Sequence, residues 1–145
     1  MIYPEFFPID RKNEFAENEV FDQLKRISDK YDIFYSRKFI TDGIGKKPEY
    51  EVDFIIAIPE KAIICLEVKG GSINYSGSKD EWSQNGRVMS KRPDSQASSA
   101  THALIKGFSD LIGDMAIGWG LCFPDGDLDS KALPTSIDSN QIIDQ

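Results

Sequence analysis

Two apolar runs, Phe54-Ile55-Ile56-Ala57-Ile58 and Ala62-Ile63-Ile64-Cys65-Leu66, are separated only by Pro59-Glu60-Lys61. So short a connection between runs this rich in β-branched residues predicts an antiparallel hairpin over Tyr50 to Ile58 and Ala62 to Lys69. Strands so uniformly apolar are buried on both faces, and helices must therefore cover the sheet that contains them.

Charges at the open end of this hairpin need an explanation, because desolvating a charge costs several kcal/mol unless it is paired or bound to an ion. Asp53 opens the first strand, and Glu67 and Lys69 close the second. Counted from Glu60 at the turn, Asp53 is seven residues back and Glu67 seven forward, so the two carboxylates are predicted to be cross-strand neighbours. Two carboxylates held side by side repel unless one is protonated or a cation lies between them. Hard oxygen ligands of this kind suit Mg²⁺ or Mn²⁺, which can activate a water and stabilise charge on a phosphoryl oxygen. Alternation along the strand points Lys69 the same way as Glu67, where it could orient the attacking water or neutralise developing charge. Gly70-Gly71 is expected to let a substrate backbone approach. Together these parts describe hydrolysis of a phosphodiester.

The rest of the chain supplies the cover. Residues 14–30 are predicted to be an amphipathic helix capped by Asn13, with Val20, Phe21, Leu24, Ile27 and Tyr31 on one face and Glu17 at its edge. Ile33 to Ile40 is expected as a strand, residues 41–48 as a loop, and Gly70 to Ser90 as a loop or short irregular hairpin. Pro93 opens a second helix that Gly113 stops, and Met115 to Phe123 reads as another buried strand. The order helix, three strands, helix, strand gives an α/β sandwich with a mixed sheet. At 145 residues this is one domain, with residues 1–13 as a lead and 126–145 as an acidic tail.

The net charge of −7 argues against binding polyanions over the whole surface. Residues 37–92, however, carry ten basic and eight acidic groups, against −3 before them and −6 after them. Two basic clusters lie in that middle third, Arg37, Lys38, Lys46 and Lys47, and then Arg87, Lys91 and Arg92. They either grip a phosphate backbone or form a solvated surface. Cys65 and Cys122 sit in apolar runs and read as buried free thiols of a reducing compartment. With no basic-then-apolar leader and no run of about 18 apolar residues, a cytoplasmic protein is expected. His102 has no partner cysteine or histidine for zinc. Trp82 reads as a loop anchor packed on the core. Asp10-Arg11-Lys12 and Asp129-Ser130-Lys131 also fit an acid-x-Lys pattern, but in polar segments expected to be solvated.

Asp53 followed by Glu67-Val68-Lys69 at a hairpin end resembles the PD-(D/E)xK nuclease core. The surroundings resemble its nuclease-related domain branch: Ala16-Glu17 with Val20 and Leu24, Gly71-Ser72-Ile73 before Trp82, Pro93 with Gln96, and Phe123-Pro124. The similarity spans residues 14–125 and implies a restriction-endonuclease-like αβββαβ core. It implies that Asp53, Glu67 and the Val68 carbonyl hold Mg²⁺ or Mn²⁺, with Lys69 beside the nucleophilic water. Glu17 would be an additional carboxylate at a metal-bound water or second ion, and Gln96 would orient groups at the edge. The implied activity is hydrolysis of DNA in processing or repair, with RNA left open, a helicase or similar protein as partner, and a homodimer as a form able to cut both strands. The alternative is a nuclease-fold module with little or no turnover that docks nucleic acid or protein. Ala16 stands where glycine is more usual, Phe54 where histidine is common, and Gly70-Gly71 where an asparagine is often found.

Overall fold

The structure, a computed structural model, describes residues 1–40, 49–128 and 132–145. Its centre is the expected hairpin, β3 (Glu49–Ile58) and β4 (Ala62–Val68), paired antiparallel with Phe54 facing Leu66 and Ile58 facing Ala62. β2 (Asp32–Ile40) runs antiparallel to β3 on one side, and β8 (Ala116–Phe123) runs parallel to β4 on the other. Two short strands complete a six-stranded mixed sheet in the order β1-β2-β3-β4-β8-β9: β1 (Ile2–Tyr3) beside β2, and β9 (Ile142–Asp144) beside β8. Residues 70–90 form a separate three-stranded sheet of β5 (Ile73–Ser76), β6 (Glu81–Gln84) and β7 (Arg87–Val88).

One helix covers each face. α1 (Phe15–Lys25) buries Val20 and Phe21 against Ile33, Tyr35, Phe54, Leu66 and Val68. It ends five residues before the expected boundary, so Ile27 stays 43% exposed. Glu14 is the N-cap residue in place of Asn13, without a side-chain capping bond. α2 (Pro93–Ile112) begins at Pro93 and ends at Gly113 (φ 56°), and packs Ala100 and Leu104 on Val52 and Cys65. No helix among the described residues is long and apolar enough to cross a membrane.

The central ribbon changes face once. Phe54 and Ile56 pack toward α1, while Tyr50 and Val52, of the same parity, pack toward α2. β2 does likewise, with Ile33 and Tyr35 on the α1 side and Phe39 on the α2 side. The reversal falls at Ser36 and Asp53, between the paired positions Tyr35–Phe54 and Arg37–Val52, and Ser36 carries a positive φ of 49°. Simple alternation therefore fails at Asp53, the residue placed where the ribbon turns over.

The segment 126–145, read from sequence as an acidic tail, packs on the domain. Leu128, Leu133, Ile137 and Ile142 join the cluster of Trp82, Leu121 and Phe123, and Ile137 is buried. Asp127, Asp138 and Asp144 are exposed while these four apolar residues face inward, a pattern that net charge hides. Trp82 is 1% exposed and packs on Phe123, anchoring the small sheet to the core as the expected loop anchor. Cys65 and Cys122 are buried free thiols, and burial pushes Cys122 up to about 11.

Candidate active site

The last turn of β4 places Glu67, Val68 and Lys69 beside the start of β3. Phe54 faces Leu66, so the next residues outward are Asp53 and Glu67, and the Val68 N–H donates to Asp53 Oδ2 at 2.8 Å. Lys69 Nζ lies 2.8 Å from Glu67 Oε1, with side-chain exposures of 21% and 6%. Burial and the neighbouring Glu67 charge push the Asp53 carboxyl up to about 8. Burial also raises Glu67, against the opposing pull of Lys69. Burial alone would lower the Lys69 ammonium, but Glu67, Asp53 and Glu17 outweigh it and raise its pKa. Lys69 is thus a cation at neutral pH, unable to serve as a base in that state.

A cleft of about 780 Å³ opens in front of this cluster. Val68, Lys69 and Gly70 line its floor, Ala16 and Glu17 of α1 one wall, and Arg87 and Lys91 the other, with Gln96 of α2 at the edge. Gln96 Oε1 is buried there without a hydrogen-bond partner. Of the residues expected from sequence, Glu17, Lys69 and Gln96 line the cleft, and Asp53 and Glu67 adjoin it through Val68 and Lys69.

A Cβ at Gly70 would meet Ala16 Cβ at 2.7 Å and Asp125 Oδ2 at 3.0 Å, and one at Gly71 (φ 78°) would meet the Asn85 side chain at 2.5 Å. The two glycines thus admit the chain's own elements, and Gly70 also lines the cleft. Gly71 N donates to Asp125 at 2.6 Å, and Gln84 Nε2 to the Gly70 carbonyl at 2.7 Å, which pins the small sheet to the end of β4.

The seven basic residues separate. Arg87 and Lys91 line the cleft. Lys38 lines a second cleft with Lys91 and Arg92, 4.0 Å from Glu51. Arg92 is engaged by Asp80 and by the buried Asp94, each at 2.9 Å. Arg37 lies over the Phe34 ring and borders an apolar groove against the end of α2. Lys46 and Lys47 lie outside the described residues. Arg92→Ala is accordingly expected to destabilise the fold by about 1–3 kcal/mol for stranding the buried Asp94, whereas Arg87→Ala should leave the melting temperature unchanged; paired thermal melts check both.

Sequence reasoning missed Arg11, Tyr35 and Glu51. Arg11, expected to be solvated, donates to Glu51 Oε1 at 2.8 Å and lies 3.9 Å from Glu17 Oε2. The Tyr35 hydroxyl donates to Glu17 Oε2. Burial raises Glu17, opposed by that hydroxyl, and the bond to Glu17 together with burial raises Tyr35. Nothing in local pattern marks these residues, since Tyr35 and Arg11 meet Glu17, and Glu51 meets Arg11, through tertiary packing. The small sheet did carry a signal, Asn85-Gly86, whose positive φ values of 51° and 78° are those of a two-residue hairpin turn.

The model of the nuclease-related domain family matches residues 12–118, about three quarters of the chain. The chain belongs to the nuclease-related domain family. That match covers the lead's Arg11-proximal end, both helices, the hairpin and the start of β8. No curated protein and no solved structure matches the chain. In this nuclease-related domain, no group of three or more acidic, histidine or cysteine side chains converges as a metal cage among the described residues. The donors present are two carboxylates and backbone carbonyls. This set of hard oxygens fits a divalent ion that keeps several waters.

Proposed function

We propose that this nuclease-related domain hydrolyses DNA phosphodiester bonds with Mg²⁺ or Mn²⁺ held by Asp53, Glu67 and the Val68 carbonyl. The observation that supports this reading is the Asp53–Glu67 pair next to Val68 and Lys69 of the cleft lining, where burial and the Glu67 charge raise the cost of ionising Asp53. Such an arrangement destabilises a protein on its own and is relieved by a cation. A bound divalent ion supplies a water of lowered pKa and neutralises charge on the phosphoryl group.

The chain's own residues do the rest. Lys69, charged and fixed by Glu67, is placed to orient the water and to stabilise the negative charge that grows on the phosphate. Glu17, across the cleft, offers a further acceptor for water. Gln96, with its unpaired oxygen, is an acceptor at the edge of the same space. Arg87 and Lys91 on the opposite wall hold the phosphate backbone, so binding should weaken steeply with salt.

Plasmid and linear DNA incubated with the protein and either ion test this, alongside Lys69→Ala and Asp53→Ala. Cleavage by the variants should fall at least about 100-fold. Equal cleavage by wild type and Asp53→Ala overturns the assignment. The contact that occupies Glu67 Oε1 with Lys69 favours a second reading, a module that binds DNA without turnover. Calorimetry separates the two: no heat on Mn²⁺ titration, with DNA binding retained, selects the second.

A further inference from the structure

We propose that Tyr35 and Arg11 are positioning residues that hold Glu17 to the cleft, with Glu51 as the anchor that fixes Arg11. This rests on the reading of the cleft as a metal-dependent site. Glu17 Oε2 receives both the Tyr35 hydroxyl and, at 3.9 Å, the Arg11 guanidinium. No hydrogen bond among the described residues engages Oε1, and Glu17 lines the cleft. One oxygen is therefore secured from behind while the other remains available in front.

The hold is rigid because each member is itself fixed. Tyr35 is 2% exposed and packs its ring against Phe7, Phe21 and Phe54 at centroid separations of 5.0, 5.9 and 5.0 Å. Its hydroxyl has one place to point. Arg11 comes from the short 3-10 helix Ile9–Arg11 that precedes α1, and its guanidinium lies 5.8 Å from the Tyr35 ring centroid. Glu51 ties it down at 2.8 Å and is itself bound by Ser36 Oγ at 2.8 Å. Ser36 sits at the turnover of the central ribbon, so the same backbone feature that places Asp53 also anchors the chain of contacts behind Glu17. A hydroxyl–carboxylate bond of this kind fixes ligand orientation, and loss of such a supporting partner typically lowers metal affinity or activity about 10–100-fold.

Tyr35→Phe keeps the ring and removes only the donor. The test measures Mn²⁺ affinity by electron paramagnetic resonance and kcat against KM on a DNA substrate, for wild type, Tyr35→Phe, Glu17→Gln and the double variant, with Asp53→Asn as reference. Tyr35→Phe is expected to weaken Mn²⁺ binding and lower kcat about 10-fold at unchanged KM. The double variant should be no worse than Glu17→Gln alone, because the hydroxyl acts only through that carboxylate. A merely structural tyrosine would change the melting temperature without this loss of additivity. Additive effects, or a Tyr35→Phe protein with wild-type Mn²⁺ affinity and kcat, overturn the proposal. If Glu17→Gln is silent while Asp53→Asn abolishes binding, the proposal falls and the metal site stands. If Asp53→Asn is silent too, both fall.

Discussion

Asp53→Asn should yield a protein that no longer cleaves DNA yet melts at a higher temperature than wild type in metal-free buffer at pH 8. Burial and the charge of Glu67 push Asp53 from the ordinary carboxylate range up to about 8. Between roughly pH 4 and pH 8 the folded chain keeps a proton that the unfolded chain has released. Folding is then linked to proton uptake. The contribution of Asp53 to stability is complete below the unfolded pKa, declines as pH rises, and is lost above the folded pKa. Asparagine mimics the protonated state at every pH, and its Oδ1 can still accept the Val68 N–H. The gain at pH 8 should be about 2 kcal/mol, which corresponds to roughly 4–8 °C in a domain of this size. Below the unfolded pKa, at about pH 3.5, the two proteins should melt alike. Mg²⁺ should raise the melting temperature of wild type, by mass action on the folded state, and leave the variant unmoved. Calorimetric melts at the two pH values, with and without the ion, decide the matter. An asparagine variant less stable than wild type at pH 8 would show that the buried pair carries no electrostatic strain.

A chain ended at Asp125 should lose most of its cooperative unfolding. This cut follows the boundary suggested by charge and periodicity, since residues 126–145 carry four aspartates and one lysine. It removes β9, which pairs with β8 from Leu121 to Phe123, together with Ile137 and the inward faces of Leu128, Leu133 and Ile142. Each apolar side chain of that size contributes about 1.5–3 kcal/mol when fully buried, and several together rival the ~5–15 kcal/mol that holds a typical domain folded. Leu121 and Phe123, now 0% and 1% exposed, would meet water. Circular dichroism of the shortened chain should show a broad, low melt or aggregation. A sharp melt within a few degrees of the full chain would show that the segment is dispensable.

These two results mark what the sequence discloses and what it conceals. The hairpin, the pairing of Asp53 with Glu67 and the span of α2 are legible because each rests on a short-range rule: turn length, register counted from a turn, and proline and glycine at helix ends. β1 and β9 are concealed because strands of two and three residues have no period, and their partners lie far along the chain, Ile33 for Ile2 and Leu121 for Ile142. α1 runs short of its pattern because Ile27 and Tyr31 continue the spacing by coincidence, after the chain has begun to turn. Asp53 and Glu67 were located by counting, but the reversal of the ribbon at Ser36 that presents Asp53 has no signature in residue type. Arg92 and Arg11 show the limit most plainly, since a guanidinium reads alike whether it will meet phosphate or an internal carboxylate.

The contact at Gly70 sets how closely the first helix lies against the end of β4. The Ala16 Cβ takes the volume that a side chain at residue 70 would need, 2.7 Å from where that Cβ would lie. Residue 70 is therefore not free to change alone: a side chain placed there demands that Ala16 give up its methyl group or that the helix lift off the sheet.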